Sequence, residues 1–330
     1  ATGQTQEPVY KDALCFRDAA VLWLDDSRER WKPSSYVRYQ DCLEKDILPQ
    51  WGKMPLREIG QEDYDKLING LKSRLKGSSI NTINSILKAI IKYSLLNRHL
   101  EKSPFDLSYP SVKKGGRSMD ILTAEEIWDI TQYIDSHFTP LTLGILLALY
   151  EGIRLGELCA LQWRDVDIEK GILHIRKTMQ RLRQPSPEPG GPKTLLHLGI
   201  PKNGRERTIP IHPAVLEILR NNREECPEEY YVIRDHRPME PRSFSRHFKY
   251  VLRQAGIRNL NFHTLRHTFA SCCVEAGMDI KVLSEILGHS SVKITMDRYV
   301  HLSMQYKQSQ LGNLELPVFP SINRQKNSRV

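Results

Sequence analysis

The sequence predicts a mainly α fold carrying one small antiparallel β-sheet, an α+β architecture split into two domains. Three observations predict it. Apolar residues recur at helical spacing through most of the 330 residues, most clearly at Ile83, Ile86, Leu87, Ile90, Ile91 and Leu95. Short alternating runs bounded by turn residues are confined to a stretch between about 163 and 211. Between the halves sits Ser111-Val-Lys-Lys-Gly-Gly-Arg-Ser118, whose glycines and serines keep it flexible and whose cations keep it solvated. The expected organisation is therefore a helical domain over 1–110, a linker at 111–118, a second domain over 119–310 and a tail at 311–330.

In chain order, Ala19 to Leu24 carries helical apolar spacing, and Ser34 or Ser35 caps a helix holding Tyr36, Tyr39 and Leu43. Pro49-Gln-Trp-Gly52 is expected to break that helix, and another follows from about Asp63 to Leu75. Ser78 or Ser79 opens the next one. There Asn84, Lys88 and Lys92 fall at four-residue intervals away from the apolar stripe, as candidate phosphate contacts or as an ordinary solvated face. Beyond the linker, Thr123-Ala-Glu-Glu126 is a capping box, and an apolar helix runs from about Pro140 to Tyr150. Val166, Ile168, Ile172, His174 and Ile175 bracket the turn Glu169-Lys-Gly171, and Arg207-Thr-Ile-Pro-Ile211 reads as a further strand. Proline-rich 184–192 is an exposed loop or hairpin tip, which makes 178–200 a hairpin insertion. Helices resume at about Pro213–Asn222, Pro241–Ala255, Thr264–Ala276, Ile280–Leu287 and Val292–Leu302, with Gly277 and Gly288 as C-caps.

Composition excludes several classes. With 40% apolar and 26% charged residues the chain is neither collagen-like, disordered nor a disulfide scaffold. Cys15, Cys42, Cys159, Cys226, Cys272 and Cys273 contain no C-x-x-C pair and read as reduced thiols. The longest apolar stretch, Leu141 to Tyr150, is half the roughly 20 residues of a membrane span, and no export leader opens the chain. A soluble cytoplasmic protein is expected, and the start at Ala1 leaves room for a longer natural N-terminus. Net charge is +9, with 17 Lys+Arg against 15 Asp+Glu up to residue 110 and 31 against 24 thereafter. That balance suggests a polyanionic partner such as nucleic acid without establishing one.

Four sites carry residue types suited to a phosphodiester. In Gly152-Ile-Arg154-Leu-Gly156-Glu157 a guanidinium offers a planar fork to phosphate oxygens, and Glu157 is placed to orient it. Lys202 lies in Pro201-Lys202-Asn-Gly-Arg205, a candidate hairpin tip. In His263-Thr-Leu-Arg266-His267, His263 and Arg266 share a helical face. The His263–His267 spacing matches a zinc helix, but residue 264 is Thr where that motif needs Glu, so no metal is expected. Last come His289 in Leu287-Gly-His289-Ser-Ser291 and, ten residues on, Tyr299.

Each signal alone is bland. Their order resembles the tyrosine recombinase (integrase) family across residues 15 to 305, with Gly152–Asp165, Asn261–Ala270 and Leu287–His301 the most specific stretches. The His289-to-Tyr299 step and the long Thr178–Ile200 stretch look most like integrases of temperate phages and conjugative transposons. The resemblance implies a core-binding domain plus a catalytic domain forming a clamp around double-stranded DNA. It implies Tyr299 as nucleophile, leaving a 3′-phosphotyrosyl bond; Arg154 and Arg266 as the clamp on the phosphorane; and His263 as base or hydrogen-bonding partner of the tyrosine. His289 would bond a non-bridging oxygen, Lys202 would be the general acid, and Glu157 would buttress the site. Lys193, in Pro192-Lys193-Thr194, remains the rival of Lys202 as general acid.

A phenol of pKa near 10 needs a base and charge stabilisation to attack at neutral pH. The phosphotyrosyl bond conserves the energy of the broken ester, and no Walker-type motif appears, so neither ATP nor metal is expected. Strand exchange through a Holliday junction by four protomers on two duplexes follows from the same resemblance, with accessory bending or excision factors and no membrane. Arg181, Arg242 and Arg246 join Lys88 and Lys92 as candidate phosphate contacts, and the tail is expected to dock on a neighbouring protomer or to fray. A type IB topoisomerase-like enzyme and a non-catalytic DNA-binding derivative are the alternatives.

Overall fold

The computed structural model describes residues 14–106, 119–184, 191–201, 204, 206–223, 226–299 and 311. The linker, Lys202 and the tail beyond Leu311 lie outside the described residues. The chain divides into two compact units, one of residues up to Ser118 with Arg181–Leu195, the other of Met119–Gln180 with Leu196 onward. Among the described residues no helix is long and apolar enough to cross a membrane.

The first unit is built of α1 (Phe16–Ser27), α2 (Pro33–Cys42), α3 (Leu48–Trp51), α4 (Gln61–Lys72) and α5 (Gly77–Leu96). The helix ends within Pro49-Gln-Trp-Gly52 as expected, at Trp51 with Gly52 as C-cap, so Pro49 itself sits inside it. The helix passes through one π turn, Leu43–Ile47, straight into α3. A proline lacks the N–H for the carbonyl four residues back and crowds it, and a widened turn accommodates both defects. Phe16 and Trp51 pack edge to face, Tyr64 stacks on Phe105, and the apolar stripe of α5 closes this core. Asn84 corrects the expected phosphate stripe. It is 5% exposed, and its Oδ1 accepts the Tyr64 hydroxyl at 2.5 Å. Positions four apart rotate by about 40° per step around a helix, so the row starts in the core, reaches half-buried Lys88 and emerges only at Lys92. Also in this unit, Arg183 pairs with Asp41 and, at 3.1 Å, with Glu44.

In the second unit, α6 (Ala124–Ser136) opens on the expected capping box: Thr123 N donates to Glu126 Oε2 at 2.9 Å and Glu126 N to Thr123 Oγ1 at 3.2 Å. The apolar α7 (Pro140–Glu151) is buried along almost its whole length, as a helix without a polar face must be. After α8 (Leu155–Ala160), β1 (Val166–Asp167), β2 (Ile172–Ile175) and β5 (Arg207–Pro210) form an antiparallel sheet in the order β1-β2-β5. The strands β3 (Thr178–Arg183) and β4 (Thr194–Gly199) pair separately, so the described residues form two small sheets where one was expected. Among the described residues the unit continues with α9 (Pro213–Asn221), α10 (Pro241–Gln254), α11 (His263–Glu275), α12 (Ile280–Leu287) and α13 (Val292–Tyr299). Phe244, Phe248, Val251 and Leu252 point α10 into the core, leaving Arg242 and Arg246 exposed. α11 packs across α7 and against α12 and α13.

Candidate active site

The site starts where α7 stops. Gly152 takes φ +60°, and a Cβ there would collide with the Phe269 ring, so conformation and space both demand glycine. The chain then turns, and Arg154 becomes the N-cap of α8. Glu157, three residues on, accepts Arg154 N at 3.0 Å and Arg154 Nη1 at 2.8 Å. Arg207 reaches the same carboxylate from β5 with a two-pronged fork, at 3.0 and 2.8 Å. Register explains its presence: Arg207 lies opposite buried Ile175, so both side chains leave the sheet on its inner face. Burial alone would raise the Glu157 pKa; the bonds and charge of Arg207, then Arg154, override it and hold the carboxyl at about 2.

The end of α12 gathers the cations. A helix leaves its last carbonyls without intrahelical partners, at the negative pole of its dipole. Three consecutive carbonyls here each take a different arginine: Ile286 O accepts Arg207 Nε at 2.8 Å, Leu287 O accepts Arg266 Nη2 at 2.6 Å, and Gly288 O accepts Arg154 Nη2 at 3.0 Å. Gly288 makes this possible by taking φ +61° directly against the Arg207 side chain. Arg266, from α11, also donates to Gly152 O at 2.8 Å and is 2% exposed. Burial, then Arg154, lowers its pKa to about 9, which still leaves a cation at pH 7. A cleft of about 390 Å³ opens onto this cluster, lined by Arg154, Pro201, Glu206, Arg207, Gly288 and His289.

Tyr299 closes the site from α13. Its ring is 7% exposed and belongs to an apolar cluster with Ala270, Cys273, Val274, Leu283 and Leu287. Its hydroxyl lies 2.8 Å from Nδ1 of His267, and Arg298 bonds the same oxygen. Burial raises the phenol pKa, opposed by Arg266, Arg298 and Arg154. His289 lies parallel to the tyrosine ring, centroids 6.4 Å apart, with Nδ1 2.8 Å from Thr295 Oγ1. Burial, then Arg266 and Arg154, pushes its pKa down to about 3.

One expectation is corrected. His263 was the expected partner of the tyrosine hydroxyl; the structure gives that place to His267, with His263 edge-on to His267 at 4.6 Å. His263 is exposed at the surface, yet crowding by protein, then His267, Arg266 and Arg154, lowers its pKa to about 4. The four-residue spacing from His263 is the sequence signal for His267, and it is also that of a zinc helix. Arg207 stands in the sequence only as part of a strand. Lys193 is exposed just before β4, and exposed Arg181 bonds Thr194 Oγ1 at 2.8 Å.

Glu151 is a buried carboxyl one residue before this turn, accepting His212 N at 2.9 Å. Burial pushes its pKa up from 4.5 to about 7. Because the folded state holds this proton more tightly than the unfolded one, stability falls as pH rises between those values. Glu151→Gln keeps the acceptor and removes the charge. It is expected to raise Tm at pH 8 and leave it nearly unchanged at pH 5; equal melting of the two proteins at both pH values would refute the ionisation cost.

The comparisons with known proteins fit this geometry. Residues 15–72 match the N-terminal SAM-like domain of phage integrases, and residues 120–306 match the phage integrase family. A tyrosine recombinase XerC-like protein of Caldanaerobacter subterraneus is 27% identical over 322 residues, spanning 90% of this chain and 82% of that protein. Tyrosine recombinase XerA of Pyrococcus furiosus is 33% identical over 233 residues, 68% of this chain and 71% of its own. In fold, the Tn1549 transposon integrase bound to transposon right-end DNA aligns over 89% of this chain and 98% of its own, with 21% identity and a TM-score of 0.71. A lambda integrase tetramer on a Holliday junction covers 92% of this chain and 84% of its own at 21% identity and TM-score 0.65. The family match spans more than half of the sequence and contains the three arginines of the α12 cluster together with Tyr299, so the chain belongs to the phage integrase family and is a tyrosine recombinase of site-specific DNA recombination.

Proposed function

We propose that this protein integrates or excises a mobile element by cutting and rejoining double-stranded DNA through a covalent bond to Tyr299. The observation that carries the reading is the cation cluster: Arg154 and Arg266 are fixed on adjacent carbonyls of α12, in the same site as the Tyr299 ring. Guanidiniums held in advance stabilise charge developing on a pentavalent phosphorus without having to reorganise. The phenolate attacks phosphorus, the 3′-phosphotyrosyl bond forms, and the bond to the 5′-oxygen breaks. Glu157 sets the Arg154 fork, and His289, anchored by Thr295, faces a non-bridging oxygen. DNA-bound dimeric and tetrameric neighbours support a reading in which both units grip the duplex and four protomers exchange strands through a Holliday junction. Lys88, Lys92, Arg181, Arg242 and Arg246 are the proposed phosphate contacts; the bacterial cytoplasm is the setting, with accessory bending or excision factors.

The test uses a library of nicked duplexes of randomised sequence. Mixed with the protein and run on a denaturing gel, a fraction of the DNA should travel attached to it. Only free DNA, at every protein concentration, would refute the reading.

Lys202 is proposed as the acid that protonates the leaving 5′-oxygen. Pro201 and Glu206, which bracket it in sequence, line the cleft with Arg154 and His289. A 5′-bridging phosphorothiolate needs no acid, because a thiolate leaves unaided. Cleavage by Lys202→Ala should be lost on the oxygen substrate and restored on the sulfur one; rescue of Lys193→Ala alone would transfer the role to Lys193.

A further inference from the structure

We infer that His267, and not His263, receives the Tyr299 proton when the phenol attacks. The inference rests on the proposed role of Tyr299 and adds the identity of the base. Its ground is geometric: His267 Nδ1 lies 2.8 Å from the hydroxyl, ring centroids 5.7 Å apart, already within proton-transfer distance.

The other charged and titratable groups of the site are poor acceptors. Arg266 on α11, Arg298 on α13 and Arg154 at the start of α8 are guanidiniums, which only donate. Glu157 is held by both Arg154 and Arg207. His289 has Nδ1 engaged by Thr295 and stacks parallel to the ring instead of meeting its oxygen. His263, on the same helix as His267, presents itself edge-on to that imidazole. His267 is half-buried between α11 and α13, and burial, then Arg298 and Arg266, lowers its pKa, so it is neutral at pH 7 with a lone pair to offer.

The step balances as follows. The Tyr299 O–H bond breaks, and its proton moves to His267 Nδ1 in the tautomer that carries hydrogen on Nε2. The phenolate oxygen bonds phosphorus, and the 5′-oxygen leaves with a proton from the acid opposite. Religation returns the proton from His267 to the departing tyrosine. The cationic surroundings also couple this base to its substrate: they make imidazolium costly in the free protein, and a phosphate entering the cluster offsets that charge. His267 therefore becomes a competent base chiefly when DNA is in place.

Single-turnover cleavage of the nicked library between pH 5 and 9 decides the matter. Wild type should lose rate with unit slope on the acid side. His267→Ala should be slower by about 10²- to 10³-fold and should lose that acid limb, while His263→Ala keeps it. His267→Asn supplies a hydrogen-bond acceptor that cannot take the proton; it should melt like wild type and remain slow. An acid limb intact in His267→Ala, or absent in His263→Ala, overturns the inference, as does wild-type rate in His267→Asn. Tyr299→Phe separates the two ideas. If it still captures DNA, the proposed nucleophile falls; if it is inactive while the His267 variants keep the limb, only the base assignment falls.

Discussion

Tyr299→Phe is expected to abolish covalent capture of DNA, lowering cleavage by at least ~10⁴-fold, while the protein stays folded. The phenyl ring keeps the tyrosine's place in the apolar cluster with Ala270, Cys273, Val274, Leu283 and Leu287. What disappears is the hydroxyl, and with it the bonds to His267 and Arg298. Losing two hydrogen bonds costs about 1 kcal/mol each, a small loss against the loss of the reacting atom. A gel for covalent adduct beside a thermal melt reads both effects. Retained adduct would refute the assignment of Tyr299, and a collapsed melt would show the hydroxyl to be structural.

Arg266→Lys should have the next largest effect, and on stability and rate together. The guanidinium spans Gly152 O, at the end of α7, and Leu287 O, at the end of α12, from a site 2% exposed. An ammonium keeps the charge but lacks the planar fork, so one buried carbonyl loses its donor. The expected stability loss is about 2 kcal/mol, measured by urea unfolding. Cleavage should fall by about 10²- to 10³-fold, because the fork that would meet the phosphorane is gone and the two helix ends it joins are released. Wild-type rate with a lowered melt would reduce Arg266 to a structural tie; wild-type values of both would refute the role altogether.

Much of the fold was legible because it rests on local chemistry. The capping box at Thr123, the apolar run of α7 and the turn at Glu169–Gly171 are each written in a few adjacent residues. Failures came where several elements meet. The π turn that lets Pro49 sit inside the helix just before it ends at Trp51 is not a local preference of its residues. Asn84 read as surface because a row at four-residue spacing looks straight in sequence and spirals on the helix, and only the packing of α4 on α5 brings Tyr64 to it. Arg207 carries no mark of its partners: a register between β2 and β5 aims it, and a carboxylate 50 residues away receives it.

Arg154, Arg266, His289 and Tyr299 were named through their one-dimensional order, which resembles the tyrosine recombinase family; residue type and spacing at any one of them are bland. Their arrangement is a different matter. His263 and His267 differ by about 40° around one helix and about 6 Å along it, and nothing near them in sequence says toward which the tyrosine hydroxyl turns. That choice belongs to the return of α13 onto α11, a long-range packing event. Three arginines drawn from distant segments converge for the same reason. Unpaired carbonyls at the end of α12 attract cations wherever they come from, and only a closed fold determines which ones arrive.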